Sequence, residues 1–124
     1  MPIHYFAVRT AAVTTSCMPS QSERAYIATL ASGTQTFFLP SASPSGQTFT
    51  FICGSAAGEI LISPRSNNTI SVKASEGGAN VTPTAGTGIK NTGATNILGD
   101  RVTLMSDGST GWHAISQSGT WASQ

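Results

Sequence analysis

Charge is what this chain has least of. Six Lys and Arg and five Asp and Glu make up 9% of its 124 residues, against about 25% in ordinary soluble proteins. A net charge of +1 leaves no basic footprint, so neither nucleic acid nor an anionic membrane is an expected partner. Cysteine is nearly absent. Cys17 and Cys53 stand alone, with no C-x-x-C spacing, which excludes a disulfide framework. His4 and His113 are the only histidines, too scattered for a zinc site. Long apolar runs are missing as well, and none approaches the ~20 residues that cross a bilayer. The start, residues 1–13, lacks a basic lead and is interrupted by Arg9. It reads as a strand or arm and not as a signal peptide. There are no runs rich in Ala, Glu, Lys, Leu and Arg at a 3.6-residue period, so coiled coils and helical bundles are excluded. Disorder is excluded from the other side, because 39% of the chain is hydrophobic at almost no net charge.

Small hydroxyls take the place of the missing charges. The chain has 17 Ser, 17 Thr and 13 Gly. A neutral Gly/Ser/Thr-rich chain of this length predicts one all-β domain. Cys53 closes an apolar run and reads as a small buried residue. Cytosolic synthesis with free thiols is the simpler expectation, and a Cys17–Cys53 bridge is the alternative.

Short alternating runs recur between turn clusters. They cover residues 3–9, 25–30, 34–39, 47–53, 59–63, 69–73, 101–106, 112–116 and 120–122. The clearest is 47–53, where Phe49, Phe51 and Cys53 point one way and Thr48, Thr50 and Ile52 the other. Ile70 and Val72 form an inward pair, and Val102 and Leu104 share a face. Phe37, Phe38, Phe49 and Phe51 lack basic neighbours and read as core. Residues 107–111 (Asp-Gly-Ser-Thr-Gly) read as a hairpin loop. Residues 76–96, with Val81 and Ile89 their only large apolar side chains, predict a long loop holding one or two short strands. Its low apolar content places it on a surface or against a partner chain. One internal echo relates residues 46–51 to 99–104: a Gly, a polar residue, then an alternating strand. About eight to ten strands at this spacing predict an antiparallel β-sandwich or barrel over residues 25–124, with residues 1–24 as an N-terminal arm or strand.

No catalytic, cofactor-binding or metal-binding set emerges. His113 could act as a base near Asp107 or Asp100, yet Gly-x-Ser-x-Gly is absent and a surface or interface role fits better. Asp107 suits hairpin-turn geometry better than a calcium loop. Residues 86–90 (Gly-Thr-Gly-Ile-Lys) have the glycines of a phosphate loop but no helix to follow them. Trp112 and Trp121 could stack on a sugar, though they read more readily as core or interface anchors.

Residues 36–121 resemble small β-modules of tailed-bacteriophage virion proteins: capsid decoration (cement) proteins and head and tail fibres. The likeness is carried by Phe38-Leu39-Pro40-Ser41-Ala42, Gly46-Gln47-Thr48-Phe49-Thr50-Phe51 and Gly58-Glu59-Ile60-Leu61-Ile62-Ser63-Pro64. It continues through Thr69-Ile70, the stretch from Gly99 to Gly108, Trp112, and Ser118-Gly119-Thr120-Trp121. The resemblance implies a virion structural role, an all-β fold, usually a homotrimer, and no catalytic residues or cofactor. A fibre would carry this module within a longer chain, so the expectation is a decoration protein. It would be made in the host cytoplasm, sit on the capsid surface, and have the major capsid protein as partner. Ile3, Tyr5, Phe6 and Arg9 are the expected shell contacts, and apolar faces of the module would form the trimer. The alternative is a fibre module that binds cell-surface glycan through Trp112, Trp121 and the 76–96 loop.

Overall fold

The computed structural model describes residues 6–55, 58–75, 77–92 and 95–124. Among these, twelve strands and one 3-10 turn, Pro19–Gln21, make the whole of the regular structure. In chain order the strands are β1 (Phe6–Thr10), β2 (Thr14–Ser16), β3 (Arg24–Ala28), β4 (Thr34–Phe38), β5 (Thr48–Cys53) and β6 (Glu59–Ser63). There follow β7 (Thr69–Lys73), β8 (Asn80–Val81), β9 (Ile89–Asn91), β10 (Arg101–Ser106), β11 (Gly111–Ser118) and β12 (Ala122–Ser123). No helix among the described residues is long and apolar enough to cross a membrane.

The strands form a seven-stranded sheet, β1-β3-β5-β10-β11-β7-β8, and a five-stranded sheet, β12-β9-β6-β4-β2. The chain is all-β with two sheets, as expected, but the expected antiparallel pairing holds for only part of it. The first six strands alternate between the sheets, odd-numbered strands in one and even-numbered in the other. A chain that crosses to the facing sheet and returns re-enters its own sheet in the same direction. β1, β3 and β5 are therefore parallel neighbours, and so are β2, β4 and β6. The strand in the opposite sheet supplies the long crossover that parallel pairing needs. Antiparallel ladders appear where β10 joins β5 and β11, where β9 joins β6 and β12, and where β8 joins β7.

The core lies between the sheets. Period-two alternation sends Phe49, Phe51, Ile70, Val72, Val102 and Leu104 inward, all buried. Tyr26, Phe37 and Phe51 form a triangle of rings with centroids 5.1 to 5.7 Å apart. Phe49 meets Trp112 at 5.8 Å, tilted by 49°, within the favoured range for aromatic pairs. One polar residue shares this interior for a structural reason. Gln35 is buried, its Nε2 donating to Thr10 O at 2.7 Å while its Oε1 accepts from Leu30 N at 3.1 Å. It thereby satisfies two backbone groups at strand ends.

Two expectations change, those for Phe38 and for the placement of residues 76–96. Phe38 is not core: neighbours on a strand face opposite ways, so burying Phe37 leaves Phe38 43% exposed. The 76–96 segment holds two short strands, β8 and β9, as expected, but not all of it lies on the surface. β9 sits inside the five-stranded sheet between β6 and β12, with Ile89 and Asn91 fully buried. Within the segment read as an arm or strand, residues 6–10 and 14–16 are strand and 19–21 a 3-10 turn. β1 and β2 are parallel edge strands, one in each sheet. The echo between 46–51 and 99–104 has a structural counterpart. β5 and β10 are antiparallel neighbours with Phe51 opposite Val102 and Phe49 opposite Leu104. Each is preceded by a glycine with positive φ, Gly46 at 80° and Gly99 at 92°.

Candidate functional site

The outward surface of the seven-stranded sheet is the candidate site, because its chemistry differs from the rest of the molecule. None of its seven strands contains an Asp or Glu. Ala7, Ala25, Thr50, Ile52, Thr103 and Ile115 line a shallow hollow of about 420 Å³ with Arg101 at its side. Small residues on the central strands form its floor. Thr50 Oγ1 and Thr103 Oγ1 hydrogen-bond each other at 2.9 Å, so the floor leaves neither hydroxyl without a partner. A β-bulge shapes one wall. The β10–β11 register shifts between Thr103 and Leu104, leaving Ile115 as the extra residue. Ile115 and Ser116 are consequently both exposed, Ile115 at 55%.

His113 and Asp107 lie at the far end of this surface. The hairpin joining β10 to β11 closes with Asp107 N–H donating to Gly111 O at 3.0 Å. Asp107 Oδ1 accepts from the amides of Ser109 (2.8 Å) and Gly111 (3.1 Å), and Oδ2 faces His113 Nε2 at 3.0 Å. Of the two carboxylates weighed against His113, the structure brings Asp107. Asp100 is buried elsewhere, accepting from Asn91 Nδ2 at 3.1 Å and from the Ile97 amide at 2.9 Å. The pair could exchange a proton, but His113 Nε2 is held by Asp107, and no hydrogen bond among the described residues joins the imidazole to the hydroxyl in register with it, that of Ser71. The turn role expected of Asp107 is the one its contacts describe. Among the described residues no three His, Cys, Asp or Glu side chains converge as a metal site would require.

The bond from His113, then those from Ser109 and Gly111, hold the Asp107 carboxyl below its ordinary value of 3.8. A carboxyl lowered by folding stabilises the fold above its unfolded pKa, and that contribution disappears as pH falls through the lowered value. Thermal unfolding of the wild type and Asp107→Asn should therefore differ at neutral pH and converge in strong acid. An unchanged gap in acid would show that the carboxylate charge contributes nothing.

The remaining sequence candidates separate. Ile3 and Tyr5 lie outside the described residues, as does His4. Phe6 begins β1, and Arg9 on the same strand is exposed. Trp112 and Trp121 are both 0% exposed. Trp121 Nε1 donates to Ser118 O at 3.1 Å. Neither ring offers a face to a sugar, so the core role is the one they occupy. The 86–90 segment leads into β9, not into a helix. Cys17 and Cys53 are buried free thiols, so the bridge does not form. Burial pushes the Cys17 thiol up to about 12 and raises that of Cys53. Thiolate is the reactive species, so thiol reagent at mildly alkaline pH is expected to label both residues only on unfolding. Rapid labelling of the native chain would contradict this burial.

Sequence reasoning missed the loop between β9 and β10, where Ile97 and Leu98 stand 68% and 64% exposed. Two adjacent aliphatics before Gly99-Asp100, outside any alternating run, were the available signal. No protein-family model matches the chain, and no curated protein matches it.

Proposed function

We propose that the chain is a capsid decoration protein of a tailed phage. It would assemble as a trimer on the outer surface of the major capsid lattice and reinforce the head against the packaged genome. The observation that carries this reading is the hollow on the outer surface of the seven-stranded sheet, lined by Ala7, Ala25, Thr50, Ile52, Thr103 and Ile115, with no acidic residue on any strand of that sheet. Aliphatic and hydroxyl side chains can be covered by another chain without stripping water from ions, which costs several kcal/mol per charge. The likeness of residues 36–121 to virion modules supports the same reading.

Ile3, Tyr5, Phe6 and Arg9 are the proposed shell contacts. Arg9 is exposed on β1, an edge strand of the seven-stranded sheet. Both indoles are enclosed, so the glycan-binding alternative would rest on residues 76–96 alone. Cryo-EM of the phage particle tests the proposal. Trimeric density on the outer shell, at threefold or quasi-threefold positions between major-capsid subunits, is the expected result. Absence of the chain from the capsid, or its presence only on the tail, overturns it.

A further inference from the structure

We propose that the outer face of the seven-stranded sheet takes an extended, carboxylate-bearing segment of the shell protein, laid across β1, β3, β5 and β10. This rests on the capsid-binding reading above and adds the chemistry of the segment that is met.

The ladders align the outward side chains in rows. Arg9 is in register with Ile27, Ile27 with Ile52, and Ile52 with Arg101. Two arginines therefore bracket two isoleucines in one row across four strands. Three strand spacings of about 4.8 Å put the arginine backbones roughly 14 Å apart. Two residues along each strand lies a row of small side chains, Ala7, Ala25, Thr50, Thr103 and Ser116. It is the floor of the hollow. The Thr50–Thr103 bond lets another chain cover that floor without stranding either hydroxyl.

Charge gives the row its preference. Arg9 and Arg101 are both exposed, and among the described residues neither has an acidic partner. Asp100, next to Arg101, is buried and turned to Asn91 and the Ile97 amide. Glu23 and Asp107 lie beyond the opposite ends of β3 and β10 from this row. The partner must bring the carboxylates, and a guanidinium fork takes one through two parallel hydrogen bonds. Spacing then selects the partner's conformation. In an extended chain, residues i and i+4 share a face about 13 Å apart. Residue i+2 falls between them, over Ile27 and Ile52. A helix covers roughly 14 Å in about nine residues, which is two and a half turns and sends the second side chain to the opposite face. The matching segment is therefore extended, acidic at i and i+4 and aliphatic at i+2.

Heads of the phage prepared without this chain are the probe. Wild-type chain should bind them saturably, and more weakly as salt rises. Arg9→Glu and Arg101→Glu should each weaken binding by about tenfold or more, with the melting temperature unchanged, since both side chains are exposed. Arg65→Glu makes the same charge change on the exposed connection between β6 and β7, and should leave binding unchanged. Cryo-EM of the redecorated heads should show an extended shell segment across β1-β3-β5-β10, with carboxylates at Arg9 and Arg101. Heads that bind wild type and both arginine reversals equally well sink this inference and leave the decoration reading standing. Density with a helix on this face, or with the face open to solvent, does the same. An equal loss from Arg65→Glu reduces the effect to net charge and also sinks it. Heads that bind no wild-type chain sink both.

Discussion

Trp112→Ala is expected to lower the unfolding free energy by about 3–5 kcal/mol and the melting temperature by about 10–20 °C. Trp112 is fully buried, in register with Ser106 on β10 and Ile70 on β7, with its ring against Phe49. Strands on both sides fix the walls of the space it fills, so the sheets cannot collapse into the hole. A domain of this size has about 5–15 kcal/mol in total, so this one side chain controls much of the margin. Trp112→Phe is the informative partner. It keeps a ring beside Phe49 and removes an Nε1–H that is buried and unpartnered among the described residues. Its loss should be under half that of alanine. Ile115→Ala, on the outer surface, should change stability by no more than about 0.5 kcal/mol. Urea titrations of the three variants check the ranking, and equal losses at positions 112 and 115 would deny a packed interior at Trp112.

Side-chain direction was readable in the sequence because a strand has only two faces. Phe49, Phe51 and Cys53 against Thr48, Thr50 and Ile52 needed nothing beyond alternation, and the burial of Ile70, Val72, Val102 and Leu104 followed the same rule. Phe38 was misread by applying composition where alternation already gave the answer. Sheet membership was not readable, since period two is the same for a strand with parallel or antiparallel neighbours. The passage of the chain from sheet to sheet over β1 to β6 is a long-range property.

The short strands were harder to place for a more local reason. β2 is Thr-Thr-Ser, with no apolar signal at all; it is extended because it runs beside β4, with Cys17 N–H donating to Phe38 O at 2.8 Å. In β9 the second inward residue is Asn91, whose amide donates to Asp100 and to Thr120 O, so a polar residue sits where the pattern demands a hydrophobe. The hollow on the seven-stranded sheet was equally hidden. Ala7, Ala25, Thr50 and Thr103 are far apart in sequence and become one surface only through β1-β3-β5-β10 adjacency. The bulge that turns Ile115 outward leaves no mark in residue type.

Gly119→Ala is the second large effect, and it is an effect of backbone geometry. Gly119 has φ 92°, a conformation a side chain adopts only under strain of about 1–3 kcal/mol. A Cβ there would also lie 2.3 Å from Asp100 Cγ and 2.5 Å from its Oδ1. Asp100 cannot step aside cheaply. Its carboxylate is buried on Asn91 and the Ile97 amide, and its carbonyl accepts from Cys53 N–H at 2.7 Å. Moving it would strand buried partners, at about 1–3 kcal/mol for each unmet group. The expected total is about 3 kcal/mol or more. A double-mutant cycle separates the two causes. Asp100→Ala will itself destabilise the fold, but it removes the obstructing γ-carbon and its oxygens, so Gly119→Ala in that background should cost only the backbone strain. An identical cost in both backgrounds would mean that the carboxylate does not set the limit. The clash would also act at a distance from Gly119, because Asp100 holds both ends of the Ile97–Asp100 turn.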